Sequence, residues 1–391
     1  DVPSSILRNI PRGEKTAMHA NNSTLSGDLG VCEKPTQPLF ILYTVFLVLI
    51  MLATIFGNLL VISAVYLYHR LRRMTNFFII SLAVSDLFVA LGHLPLRIDT
   101  SVHNNHWCFD KGEGDLTTCA YWIVMDTVFS SASMCNLVII SIDRFLAITK
   151  PFEYQSRMTK RVGFSLIAFV WVYAMLWGVL SLVNWEGGSQ SNIKINTMDG
   201  RSCAKSDKIY YTTAMAVAFF LPLLIVIVTY SCVFRVAFTQ AKAVASLDPN
   251  KGKRRILREL KATKTIAIVI GVFIVCWLPP FILIVTSLWC TACLEPLKKN
   301  PALAQVVSIP FISVLPVMNS SLNPLIYTVF NKEFREAFSR MLCRRREVSR
   351  NNALDEVSVT EATNYRTSAA SRSSSGCKSW IRMNGKAKQQ S

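Results

Sequence analysis

The residues that could do chemistry are few, and most of them stand inside apolar sequence. Asp126 and the adjacent pair Asp143-Arg144 share one greasy stretch; Asp86 stands in the stretch before it, and Asn58 in the one before that. A charged or amide side chain at membrane depth is costly unless paired, so each is a functional suspect by default. Asp126 precedes Asp143 by 17 residues, about 25 Å along a helix, which puts the two acids at opposite ends of a membrane-length segment. An unpaired carboxylate in an apolar cavity open to the outside is stable only when a cation arrives. Two other readings stand beside this one: an acid paired inside the bundle, or one that faces water. At the far end, an Arg at the membrane edge holds only when paired, and a breakable pair makes a two-state element. Hydrolytic chemistry would need a Ser–His pair, a pair of Asp residues or a metal set. His93 is the only histidine in these stretches, and Asp86 and Asp126 fall on different segments at different depths. An enzyme is not expected.

The elements that must position these residues are membrane helices. The chain has 391 residues, is 51% hydrophobic and only 17% charged, where a soluble protein carries about 25% charge. Seven mostly apolar runs of spanning length occur, at about 39–66, 75–98, 117–142, 162–184, 209–234, 265–289 and 303–330. With no water for the backbone they must be helices, so the expected fold is an all-α membrane protein, a seven-transmembrane helix bundle. No short apolar run with a cleavage site precedes the first span, so that span is expected to act as its own insertion signal. Lys and Arg cluster after spans one, three, five and seven ("YHRLRRMTN", "NKGKRRILRELKATK", "CRRR"). These connections share one side, and the positive-inside rule makes it the cytoplasm, with the N-terminus outside. The net charge of +18 is then a property of the inner loops and implies no nucleic-acid partner.

Residues 1–38 read as an extracellular N-terminal tail, 39–330 as the membrane domain, 331–343 as a short amphipathic membrane-surface helix and 344–391 as a disordered cytoplasmic tail. "NNST" holds two glycosylation acceptors, Asn21 and Asn22. Cys343 closes the amphipathic helix as a palmitoylation candidate. Cys32, Cys108, Cys119, Cys203, Cys290 and Cys293 all fall on the outer side, where disulfides persist. His103, His106 and Cys108 have metal-like spacing but no clear fourth ligand. The Ser and Thr residues at 367–375 could take phosphates.

"GNLLV", "SLAVSDLFVA", "IDRF" followed by "KP", "CWLPP" and "NPLIY" occur in this order, one per span. Over about 40–343 the chain resembles a rhodopsin-like (class A) G-protein-coupled receptor, most of all the biogenic amine receptors. The resemblance implies an activation switch. Arg144 would be held by Asp143 and by Glu259 at the foot of span six, then released to meet a heterotrimeric G protein as Tyr230 and Tyr327 approach. Phe145 stands where the family has Tyr, which leaves the Arg chemistry intact. It implies a packing triad of Pro222, Met134 and Phe273 beneath Trp277, and a helix distortion at Asn323-Pro324. It also implies an allosteric sodium site of Asp86, Ser133, Asn319, Ser320 and Asn323, for which a hydrogen-bonded cluster without an ion is the other reading; no other cofactor is implied. Cys119 would bridge to Cys203, and Cys290 to Cys293 in a small loop. Arrestin, a receptor kinase and membrane lipid are the further partners, and the plasma membrane is the location.

For the ligand, Asp126 matches the acid that binds the protonated amine. Thr127, Ser130, Ala214, Ala218, Trp277, Phe281 and Ser313 would line the pocket with it. Catechol receptors place serines at positions matching Ala214, Met215 and Ala218; here that wall is apolar and cannot bond ring hydroxyls. Pro280 replaces one of two aromatics after Trp277, and Val314 and Val317 replace a Trp and a Tyr, so the cage around the acid is thinner. A small protonated amine that is not a catechol is the first expectation. A cationic peptide group on Asp126 is the alternative, which the open pocket at Ser313, Val314 and Val317 would suit. An opsin is excluded, because residues 303–330 lack the lysine that retinal needs.

Overall fold

In the computed structural model the described residues are 38–103, 106–108, 114–187, 193–196, 202–205, 207–247 and 251–342. Seven helices there are long and apolar enough to cross a membrane: Pro38–Leu67, Met74–Val102, Leu116–Thr149, Lys160–Leu182, Lys208–Val236, Ile268–Trp289 and Ala302–Phe330. They are the first to seventh spans. Their outward faces carry Phe56, Phe169, Val172 and Ile282 exposed from the bundle, the faces that hydrocarbon covers in a membrane. Spans one to four pack in sequence, spans five to seven pack in sequence and the seventh returns to the first, while the third packs on the second, fourth and fifth, which places it at the centre.

The third span stays helical through Asp143 and Arg144 to Thr149, beyond the expected edge at 142. A short helix, Pro151–Arg157, follows it on the side called inner from the distribution of Lys and Arg, and Pro151 at its start needs no backbone hydrogen bond. The helix of the sixth span begins at Lys251, well before its apolar part, and so carries Glu259.

Three spans contain a π-helical turn, at Val89–His93, Met215–Phe220 and Ile309–Val314. Each has the same origin. Pro95, Pro222 and Pro316 lack the N–H that would bond the carbonyl four residues earlier, and their rings crowd it. Those carbonyls belong to Leu91, Ala218 and Ile312, one inside each π turn. The inserted residue turns the outer part of each helix relative to its inner part.

Close backbone approach ties the first span to the seventh. A Cβ on Gly57 would lie 2.8 Å from the Pro324 ring. Beside it Asn58 donates to the backbone oxygens of Thr54 at 3.0 Å and Ser320 at 3.1 Å. On the outer side, strands β1 (Ile193–Asn196) and β2 (Ser202–Lys205) pair antiparallel, with Ile195 opposite Cys203. Cys203 is bonded to Cys119 at the outer end of the third span, and Cys290 to Cys293. Cys108 is disulfide-bonded as well, so it has no thiolate to give a metal; among the described residues no cluster of His, Cys, Asp and Glu could hold one.

Residues through Asn331 form one compact unit and those from Lys332 a second. The described part of the second is a helix over 332–342. Its Phe334, Ala337 and Phe338 are buried, with the two rings 5.7 Å apart, while Lys332 and Glu336 pair on an exposed side at 3.6 Å. Asn21, Asn22, Cys32, Cys343 and the tail serines lie outside the described residues.

Candidate functional site

Three polar layers are stacked along the third span. The outer one is built on Asp126, whose side chain is about half exposed (50%). It lines a cavity with Ser130, Phe129, Trp277 and Val317 that reaches inward to Ser133, Asn319 and Ser320. Trp277 belongs to an aromatic stack whose other rings lie behind it. Phe281 lies 4.2 Å from Phe219 and 5.5 Å from Trp277, and Trp277 lies 6.1 Å from Phe273. Phe219 adds a ring to the stack behind Trp277, in a span other than the one that carries Pro280. Thr127 meets the Tyr210 hydroxyl at 3.4 Å. Thr127, Ala214, Ala218, Phe281 and Ser313 do not line this cavity; Ser313 is buried within the π turn of span seven.

The neighbour of Asp126 was not expected. His93 Nδ1 stands 3.5 Å from its Oδ1 without a hydrogen bond between them, so the acid has a buried imidazole beside it and stays open to the cavity. His93 stacks on Trp122 at 5.1 Å, and the Arg97 guanidinium lies 5.8 Å from the centre of the same indole. The two bases are one turn apart on span two, at and just beyond its π turn. A helical count from the inner part of that span misses the face they share, because of the residue the turn inserts. The signal available was the single histidine of the spans, four residues before an arginine.

The roof is the second outer loop. Lys205 and Asp207 form an ion pair with both side chains wholly buried. Lys205 also donates to the Val183 carbonyl at 2.9 Å and stands 5.1 Å from the Tyr210 ring. A buried pair tolerates its desolvation only with such added bonds.

The middle layer centres on Asp86, which is fully buried. Asn323 Nδ2 donates to its Oδ2 at 2.9 Å. The other carboxylate oxygen, Asn58 Oδ1 and Ser133 Oγ are buried without a hydrogen-bond partner. One carboxylate among unpaired neutral oxygens is the donor set of a hard cation, so the residues fit a sodium ion.

The inner layer is closed. Arg144 Nε and Nη2 donate to Asp143 Oδ2 at 3.0 and 2.6 Å, and Nη2 also meets Thr75 Oγ1. Thr75 donates to the same Oδ2 at 2.6 Å, and Tyr154 of the inner helix donates to Oδ1 at 2.7 Å. Asp143 is 0% exposed and its four bonds satisfy a buried charge. Burial, then the bond to Asp143, pushes the Tyr154 phenol up to about 12. Thr75 and Tyr154 were not foreseen, since nothing in their own stretches marks them. The Tyr230 hydroxyl is buried without a partner, and Tyr327 is buried in span seven. The Glu259 side chain lies outside the described residues. Met134 and Phe273 are buried.

Over residues 57–327 the chain matches the family model described as the 7 transmembrane receptor (rhodopsin family). It is 36% identical over 324 residues to the D(1C) dopamine receptor of Xenopus laevis, covering 78% of this chain and 68% of that one. It is 33% identical over 352 residues to the D(1A) dopamine receptor of Didelphis virginiana, covering 82% and 77%. With the D(1)-like dopamine receptor of Oreochromis mossambicus the identity is 36% over 317 residues, covering 76% and 77%. The chain belongs to the rhodopsin family of seven-transmembrane, G-protein-coupled receptors, and is a receptor rather than an enzyme.

Proposed function

We propose that this receptor binds a small protonated amine at Asp126 from outside the cell and passes the signal to a heterotrimeric G protein at Arg144. The observation that carries it is a carboxylate half open to a cavity floored by Trp277. The relatives' names make an amine the expected class. Their catechol does not transfer, because Ala214, Met215 and Ala218 offer no hydroxyl to ring oxygens. An incoming ammonium takes the place of His93 on Asp126 and leans on the rings below. Trp277 and Phe273 carry the displacement to Met134 and Pro222, and the helices release Arg144 from Asp143. Glu259 is the second acid holding Arg144, so Glu259→Ala should raise basal signalling. Asp86 would hold a sodium ion together with Ser133, Asn319, Ser320 and Asn323, and the ion would supply the charge that balances its carboxylate.

The remaining assignments follow from the same reading. The N-terminus is outside and glycosylated at Asn21 or Asn22. Cys343 is palmitoylated onto membrane lipid, and a receptor kinase and arrestin act on the tail. The test is a panel of amines on cells expressing the chain, with G-protein activation as the readout. A non-catechol amine should activate at a concentration at least tenfold below dopamine. Activation by peptides with none by amines would transfer Asp126 to a cationic peptide group.

A further inference from the structure

We propose that the ligand is a zwitterion, an amino-acid-like molecule whose ammonium sits on Asp126 and whose carboxylate sits on Arg97. The proposal rests on the amine reading of Asp126 and narrows it.

The outer layer has one acid facing two bases. His93 Nδ1 stands 3.5 Å from Asp126, and both Asp126 and Arg97 lie within electrostatic range of that imidazole. Among the described residues no carboxylate pairs with Arg97; its recorded neighbour is the Trp122 ring. Two other outer acids are engaged elsewhere, Asp99 with His103 at 3.5 Å and Asp207 with Lys205. The indole N–H of Trp122 is itself buried without an acceptor. An arginine and an indole N–H around one ring are therefore two donors awaiting an anion, one turn outward of the His93–Asp126 contact. A guanidinium favours a planar carboxylate, which it binds through two parallel hydrogen bonds.

A simple amine fits this edge poorly. It neutralises Asp126, displaces His93 and leaves Arg97 beside a new positive charge with nothing to balance it. A ligand bearing both charges a few bonds apart satisfies the acid, the arginine and the indole together. The Trp122 and Trp107 rings, 5.5 Å apart, wall the anionic end.

The test compares matched pairs that differ by one carboxylate: tyrosine with tyramine, tryptophan with tryptamine, histidine with histamine. β-Alanine, γ-aminobutyrate and 5-aminovalerate vary the separation of the charges. The full-length receptor in cells is read by G-protein activation, normalised to surface expression. At least one zwitterion should be tenfold or more potent than its counterpart lacking the acid, and its methyl ester should lose that advantage on the unmodified receptor. Arg97→Met should raise the zwitterion's EC50 tenfold or more and leave the amine's no higher, and Arg97→Lys should recover part of the zwitterion's loss. Equal or greater potency of the simple amines, an ester as potent as its acid, or no response to any zwitterion overturns the proposal. Asp126→Asn separates it from its foundation. If Asp126→Asn abolishes responses that Arg97→Met leaves intact, only the zwitterion falls; if responses survive Asp126→Asn, the amine reading falls with it.

Discussion

Asp143 holds Arg144 with help from two side chains, and removing either should loosen the switch. Tyr154→Phe deletes one hydrogen bond to a buried carboxylate, an interaction of about 1.5–3 kcal/mol, so the released form should rise by roughly ten- to 100-fold. Basal G-protein activity per receptor at the surface measures it, and an unchanged basal level would contradict the role given to Tyr154. The same phenol carries a pH signature. Its proton is favoured in the folded state, where the pKa is about 12 against the usual 10 or so. Its contribution is therefore present below pH 10 and lost as pH rises from 10 to 12. Purified Tyr154→Phe receptor should show a flatter decline in thermal stability over that window. At Asp86 the expected ligand is sodium. Replacing potassium by sodium should raise the melting temperature of the purified receptor, since a ligand bound only to the folded state stabilises it. Asp86→Asn should abolish the difference, and an equal sodium effect in the variant would place the ion elsewhere.

At the scale of elements, the spans could be found from sequence because an apolar run of that length has one way to satisfy its backbone. Their inner and outer ends were harder to place. The third span continues past 142 because Asp143 and Arg144 neutralise each other within the helix. The three π turns were not legible, though the prolines that cause them were. They explain why the sequence does not place His93 beside Asp126: the residue inserted at Val89–His93 breaks the 3.6-residue count by which a face is read. Packing at the first–seventh contact gives a sharper test. Gly57→Ala places a methyl 2.8 Å from the Pro324 ring, an overlap that should cost about 1–3 kcal/mol. Thermal denaturation of the purified variant reads it, and a wild-type melting temperature would mean that the two helices part without cost.

Over the whole molecule, one helix joins an outer acid to an inner arginine. The acids of the candidate site were legible because costly residues are few within the spans, and Asp126, Asp86, Asp143 and Arg144 announce themselves against apolar sequence. Their partners were less so. Thr75 is 68 residues from Asp143, and His93, Thr75 and Tyr154 acquire meaning only when the bundle brings them to an acid. The wall of span five was legible in the opposite sense, through hydroxyls that Ala214 and Ala218 lack. The central claim is that a cation on Asp126 drives the release of Arg144, and its most direct test is Asp126→Asn with an amine-bearing agonist of the unmodified receptor. Losing the charge-assisted bond should raise the EC50 for G-protein activation by roughly 100-fold, about 2.7 kcal/mol, with surface expression unchanged. An unchanged EC50 would contradict the account.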